Sequence, residues 1–158
     1  MKEQEYKNST TELRDAIRSN DMEQVKLLVS TIKDINAKDI YGGCETPLRI
    51  AIINNNIEAV KLLIKAGADV NYIRRDNGCT YLVEAIGTDN HFKRINIEIM
   101  KLLLEAGINN ITASADINAL DCYGETPLMQ AVTWNDSTMI ELLLEYMEQT
   151  LMLRIKMV

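Results

Sequence analysis

One short pattern, written four times in register, constrains this chain more than anything else in it. Thr11 to Ala16, Thr46 to Ala51, Thr80 to Ala85 and Thr126 to Ala131 all read T-x-L-x-x-A. A second block follows each of them, over residues 22–29, 57–64, 97–104 and 138–144, with apolar residues around a Leu-Leu pair. A third block closes three of the four, ending at Asn36, Asn71 and Asn118. Self-similarity at a fixed period is the signature of stacked units, none of which can bury its apolar face alone.

The local chemistry predicts what each unit is made of. Threonine at the start of the first block is a helix N-cap, its hydroxyl accepting an orphan backbone N–H, and proline at the next position has its φ preset. Thr46-Pro47 and Thr126-Pro127 carry both features. In the second block Val60, Leu63 and Ile64 fall at i, i+3 and i+4, the stripe of an amphipathic helix, with Glu58, Lys61 and Lys65 left to water. Gly67 and Gly107 are placed to end their helices in the left-handed conformation. The run from Asp69 to Ile73, with a glycine turn at Gly78, reads as a projecting hairpin-like loop.

These blocks resemble the ankyrin repeat, whose pattern is T-P-L-H-x-A at a period of about 33 residues. The resemblance runs from about Thr10 to Met147, with threonine-to-threonine periods of 35, 34 and 46 residues. It implies an all-α solenoid of four stacked helix-turn-helix pairs, approximately 10–39, 40–74, 75–120 and 121–158, as a single domain over 1–158. The third repeat is enlarged, around Asp89 to Arg94 and again within Ile108 to Ala115. Insertions of this kind map to surface loops. The last outer helix continues past Met147 as an apolar tail, expected to cap the end of the array. Arg14, Arg49, Val83 and Met129 stand where the family carries histidine, so the loop hydrogen bonds attributed to that residue lack their usual donor.

Function follows from the same resemblance. Ankyrin partners dock on loop tips and inner-helix ends along the concave face, which here implies Ile40, Tyr41, Asp76, Asn77, Cys122 and Tyr123 at the tips. At the inner-helix ends it implies Ile53, Asn54, Thr88, Thr133 and Trp134. Tyr41, Tyr123 and Trp134 are the aromatic anchors among them, since binding energy concentrates in Trp, Tyr and Arg. Asn36, Asn71 and Asn118 resemble sites of asparaginyl hydroxylation in the family, although loop-tying hydrogen bonds give them a structural role.

Composition narrows the partner. The net charge of −6 repels phosphate backbones and acidic membrane surfaces and favours a protein with a basic surface. No apolar run approaches the ~18 residues of a membrane span. Cys44, Cys79 and Cys122 are odd in number and widely spaced, which fits free thiols. Metal and cofactor ligands are not clustered, and His91 is the only imidazole. Acidic residues such as Glu23, Glu58, Glu98 and Glu141 recur on outward helical positions, not as a general acid/base pair. The expectation is a monomeric, cytoplasmic, non-catalytic adaptor or inhibitor. The alternatives are a host-directed effector of an intracellular microbe, suggested by the many Ile, Asn and Lys residues, and a regulatory module of a larger enzyme system.

Overall fold

A computed structural model of the chain describes residues 2–38, 45–73, 78–86, 96–106, 115–121 and 123–156. Among them the fold is all-helical, with one isolated antiparallel bridge between Ile73 and Thr80. The chain divides into two compact units, Met1–Val70 and Asn71–Val158. The first holds α1 (Lys2–Arg18), α2 (Met22–Thr31), α3 (Pro47–Ile53) and α4 (Ile57–Lys65). The second holds α5 (Tyr81–Ile86), α6 (Ile97–Glu105), α7 (Pro127–Thr133) and α8 (Ser137–Lys156).

Within unit 1 each inner helix pairs with the outer helix that follows it, and the two pairs lie side by side, α1 on α3 and α2 on α4. Leu13, Ile17, Val25, Leu48, Ile50, Val60 and Leu63 fill the space between them and are buried. Unit 2 repeats the plan with α5 on α6, α7 on α8 and α5 against α7, around Tyr81, Leu82, Ile86, Ile99, Met100, Leu103, Met139 and Leu143. Each such leucine or isoleucine contributes about 1.5–3 kcal/mol through removal from water. The stripe read from the sequence at Val60 and Leu63 is therefore the packed face of α4.

Caps define the helix boundaries. Thr46 and Thr126 accept the N–H groups of Arg49 and Met129, ahead of prolines at the first helical position. Among the described residues the turn from inner to outer helix is a three-bond motif used three times. After α3, Asn54 N–H donates to Ile50, Asn55 N–H to Ile52 and Asn56 N–H to Ala51. The same bonds recur after α1 through Ser19, Asn20 and Asp21, and after α7 through Trp134, Asn135 and Asp136. The middle residue is left-handed each time, with φ of 59°, 57° and 52° at Asn20, Asn55 and Asn135. Asparagine tolerates that conformation better than other non-glycine residues. The next residue then caps the outer helix: Asp21, Asn56 and Asp136 each accept the N–H three positions on, and Asn96 does so ahead of α6. Gly67, with φ of 88°, ends α4 as expected, while Gly107 lies outside the described residues.

Two expectations change. Thr11 does not cap α1, which runs unbroken from Lys2; Glu12 stands where proline would be, and nothing before it stops the helix. Its hydroxyl instead accepts from Arg14 Nη2 at 3.0 Å. The tail does prolong the last outer helix, but Leu151, Met152 and Ile155 stay exposed instead of covering the array. With no glycine or proline between Ser137 and Lys156 the helix has no point at which to turn back.

Candidate functional site

One loop tip of unit 2 is built around the buried carboxylate of Asp121. One oxygen, Oδ1, accepts the backbone N–H groups of Tyr123 and Glu125, each at 2.8 Å. The other, Oδ2, accepts Gln130 Nε2 at 2.6 Å, which ties the loop to α7. Asp121 N–H donates to the Glu125 carbonyl, and Gly124, at φ of 79°, closes the turn. This geometry holds the Tyr123 ring out in water, 79% exposed. A charge-assisted network inside the loop thus substitutes for the absent family histidine.

An open groove lies beside this tip, lined by Asn71, Ile73, Gly78, Thr80, Asp116, Asn118, Ala119 and Leu120. Its floor is fixed by side-chain to backbone bonds, since Asn71 Oδ1 accepts Asp116 N–H at 2.9 Å and Asp116 Oδ1 accepts Asn118 N–H at 3.0 Å. Asn36 does the same work in unit 1, accepting Asp69 N–H at 2.7 Å and donating to the Gly67 carbonyl. These bonds are the loop-tying role read for Asn36 and Asn71. Ile73 and Leu120 on the groove are both more than half exposed. On α7, Pro127, Gln130 and Ala131 turn inward, so helical period puts Met129 and Thr133 outward, and both are exposed.

Of the residues picked out from the sequence, Tyr123 and Thr133 thus lie on this surface. Thr133 spends its hydroxyl on the Met129 carbonyl at 3.0 Å. Trp134 is half-buried, with its backbone capping α7. Ile53 and Asn54 are exposed at the end of α3 in unit 1. Ile40, Tyr41, Asp76, Asn77, Thr88 and Cys122 lie outside the described residues, as do the third-repeat insertions and His91. Ile73, Leu120 and Met129 were missed. Met129 was legible from helical period, offset from Pro127 and Ala131, whereas Ile73 and Leu120 sit in extended segments where no period marks the outward side.

Unit 1 presents a different surface. Glu45 gathers three arginines: its carboxylate accepts Arg18 Nη2 at 3.1 Å and pairs with Arg49, and its carbonyl accepts Arg14 Nη1 at 3.4 Å. Arg14 and Arg49 stand at the family's histidine positions, so here too another residue type ties the loop. Lys26 pairs with Glu58 and Glu23, and its pKa is raised, chiefly by the hydrogen bond to Glu58. In unit 2, Tyr146 donates to Glu105 Oε1 at 2.7 Å. Burial, and then that carboxylate, push its phenol well above the ordinary tyrosine value. Among the described residues no group of three His, Cys, Asp or Glu side chains could hold a metal ion. Cys79 is buried and in no disulfide, and no described helix is long and apolar enough to cross a membrane.

Comparison with curated proteins gave no match. The family model described as ankyrin repeats (3 copies) matches residues 13–112 and again residues 91–153. Those matches span most of the sequence, take in the last three T-x-L-x-x-A segments and the first from Leu13 on, and agree with the paired, capped helices of both units: the chain belongs to the ankyrin-repeat family.

Proposed function

We propose that this protein is a non-catalytic interaction module, an adaptor or inhibitor that occupies the surface of a partner protein through the loop tips and inner-helix side of unit 2. One observation supports the reading above the rest. Among the described residues eleven large apolar side chains are half or more exposed, nine of them in unit 2 and two, Leu27 and Ile53, in unit 1. Ile73, Leu120, Tyr123 and Met129 are the members on the groove, the tip and the outward face of α7. Grouped apolar exposure of this kind marks interaction sites. The ring of Tyr123, held out by the Asp121 network, is the anchor type in which interface energy concentrates. Ankyrin domains are generally protein-binding modules, and the net charge of −6 favours a basic partner whose association slows as salt rises. A cytoplasmic setting suits this role.

The test is a pull-down from the native cell with mass spectrometry, run in parallel with wild type and the Tyr123→Ala, Met129→Ala double variant. The reading expects a protein retained by wild type and lost from the variant, with helical signal and melting temperature unchanged. Two anchors at ~2 kcal/mol each correspond to more than ~100-fold in affinity. Equal capture by both proteins overturns it.

A further inference from the structure

The fourth repeat leaves open a face that the third buries. Helices α6 and α8 align at their caps, Asn96 and Asp136, so Met100 corresponds to Ile140 and Leu104 to Leu144. Leu104 is 4% exposed and Leu144 is 50%. Met100 is fully buried, while Ile140 is only half covered. On the inner helices the same holds for Ile86, at 0%, and its counterpart Val132, at 60%.

Here the apolar face also continues where the repeat pattern stops. Met139, Leu142, Leu143 and Tyr146 form the buried side of α8. On a second side, turned roughly 130° from it, Ile140, Leu144, Met147, Leu151 and Ile155 follow one another at spacings of three and four. That spacing is the seam of a helix that packs lengthwise on another helix. A helix apolar on two separate sides needs cover on both.

We infer that this face is a self-association surface, on which a second copy of the chain lays its own α8 antiparallel to the first. The four outer members of the seam select that occupant by their symmetry, with Met147 next to the axis. About a twofold axis between residues 147 and 148, Ile140 meets Ile155 and Leu144 meets Leu151, the self-complementarity that a twofold interface requires. Charge agrees with the same direction. Antiparallel pairing sets the acidic half of one helix, with exposed Glu141 and Glu145, beside the end of the other that carries exposed Lys156. Parallel pairing would set Glu141, Glu145 and Glu148 all against their copies, whereas antiparallel pairing does so for Glu148 alone, beside the axis. The seam from Ile140 to Ile155 spans roughly 24 Å at 1.5 Å per residue. Two such helices sit at the low end of specific interfaces, below about 1,200 Å², so the association is reversible in the micromolar range. This departs from the monomer expected from the sequence.

Sedimentation equilibrium of the full 158-residue chain from about 1 to 200 μM brackets that range and tests the inference. A monomer–dimer equilibrium is expected. Leu144→Asp and Leu151→Asp should each weaken it at least ~100-fold, since each residue occurs twice in a twofold interface, while circular dichroism and melting stay unchanged. A mixture of the Leu144→Cys and Leu151→Cys proteins, oxidised and mapped by peptide mass spectrometry, should give the mixed 144–151 disulfide. A chain that stays monomeric to about 200 μM, a dimer that survives both aspartates, or like-with-like disulfides overturn the inference.

Discussion

The two units use one plan and finish their surfaces in opposite ways. In unit 1 the outward side is closed by charge: Glu45 binds three arginines, Lys26 bridges Glu23 and Glu58, and Asn56 Nδ2 reaches Asn20 Oδ1 at 2.9 Å. In unit 2 the Asp121 carboxylate turns inward to hold its loop, and apolar side chains are left facing water. The core is alike in both, so the difference lies in what each surface is for. Exposed ion pairs contribute little to stability and repel apolar contact, whereas exposed apolar side chains have a cost that is recovered only when something covers them.

The largest effects should not distinguish the units. Leu63→Ala in unit 1 and Leu103→Ala in unit 2 both delete side chains that are fully buried, and each should cost ~2–5 kcal/mol in urea unfolding. A loss below about 0.5 kcal/mol at either site would mean that one unit lacks a packed core. Next comes Asp121→Ala, which strands Gln130 and two backbone N–H groups. We expect ~1.5–3 kcal/mol of destabilisation, with Tyr123 losing its fixed position. A neutral result would show that the tip of unit 2 is not preorganised.

Tyr146→Phe should cost ~1 kcal/mol, because it removes one hydrogen bond to a carboxylate that water can still reach. Its pH dependence has a definite sign. The folded phenol holds its proton more tightly than the unfolded one, so the contribution is present in full below the unfolded value of about 10 and is lost as pH rises through the raised folded value. The gap between wild type and Tyr146→Phe should therefore be flat from neutral to mildly alkaline pH and narrow only in strong alkali. A gap that closes near neutrality would refute the Tyr146–Glu105 bond. The smallest effect belongs to Lys26→Ala in unit 1, where both partners are exposed. No resolvable change in melting temperature is expected at moderate salt, and a clear one would mean that the charged surface of unit 1 is structural.

What the sequence disclosed was local. Thr46, Thr126, Gly67 and the stripe through Val60 and Leu63 act within a few residues of themselves, and composition and spacing suffice to read them. The left-handed asparagines at 20, 55 and 135 were equally legible, since each is followed by an Asp or Asn cap, yet they carry no block of their own. The replacements for the family's histidine were not legible. Arg14 meets Glu45 across 31 residues and Gln130 meets Asp121 only once the loop has closed. The candidate surface divided in the same way. Tyr123 and Met129 follow from turn position and helical period, but the exposure of Ile73, Leu120, Val132 and Leu144 depends on which neighbours stack against them.

The central claim is that unit 2, not unit 1, carries the binding surface. Its most direct test is the dissociation constant of the partner recovered by pull-down, measured calorimetrically with two paired variants. Tyr123→Ala with Met129→Ala alters unit 2, and Ile53→Ala with Asn54→Ala alters the corresponding helix end of unit 1. The account predicts a loss of more than ~100-fold for the first pair and less than ~3-fold for the second, both with unchanged melting. The reverse order, or equal losses from both pairs, would contradict it.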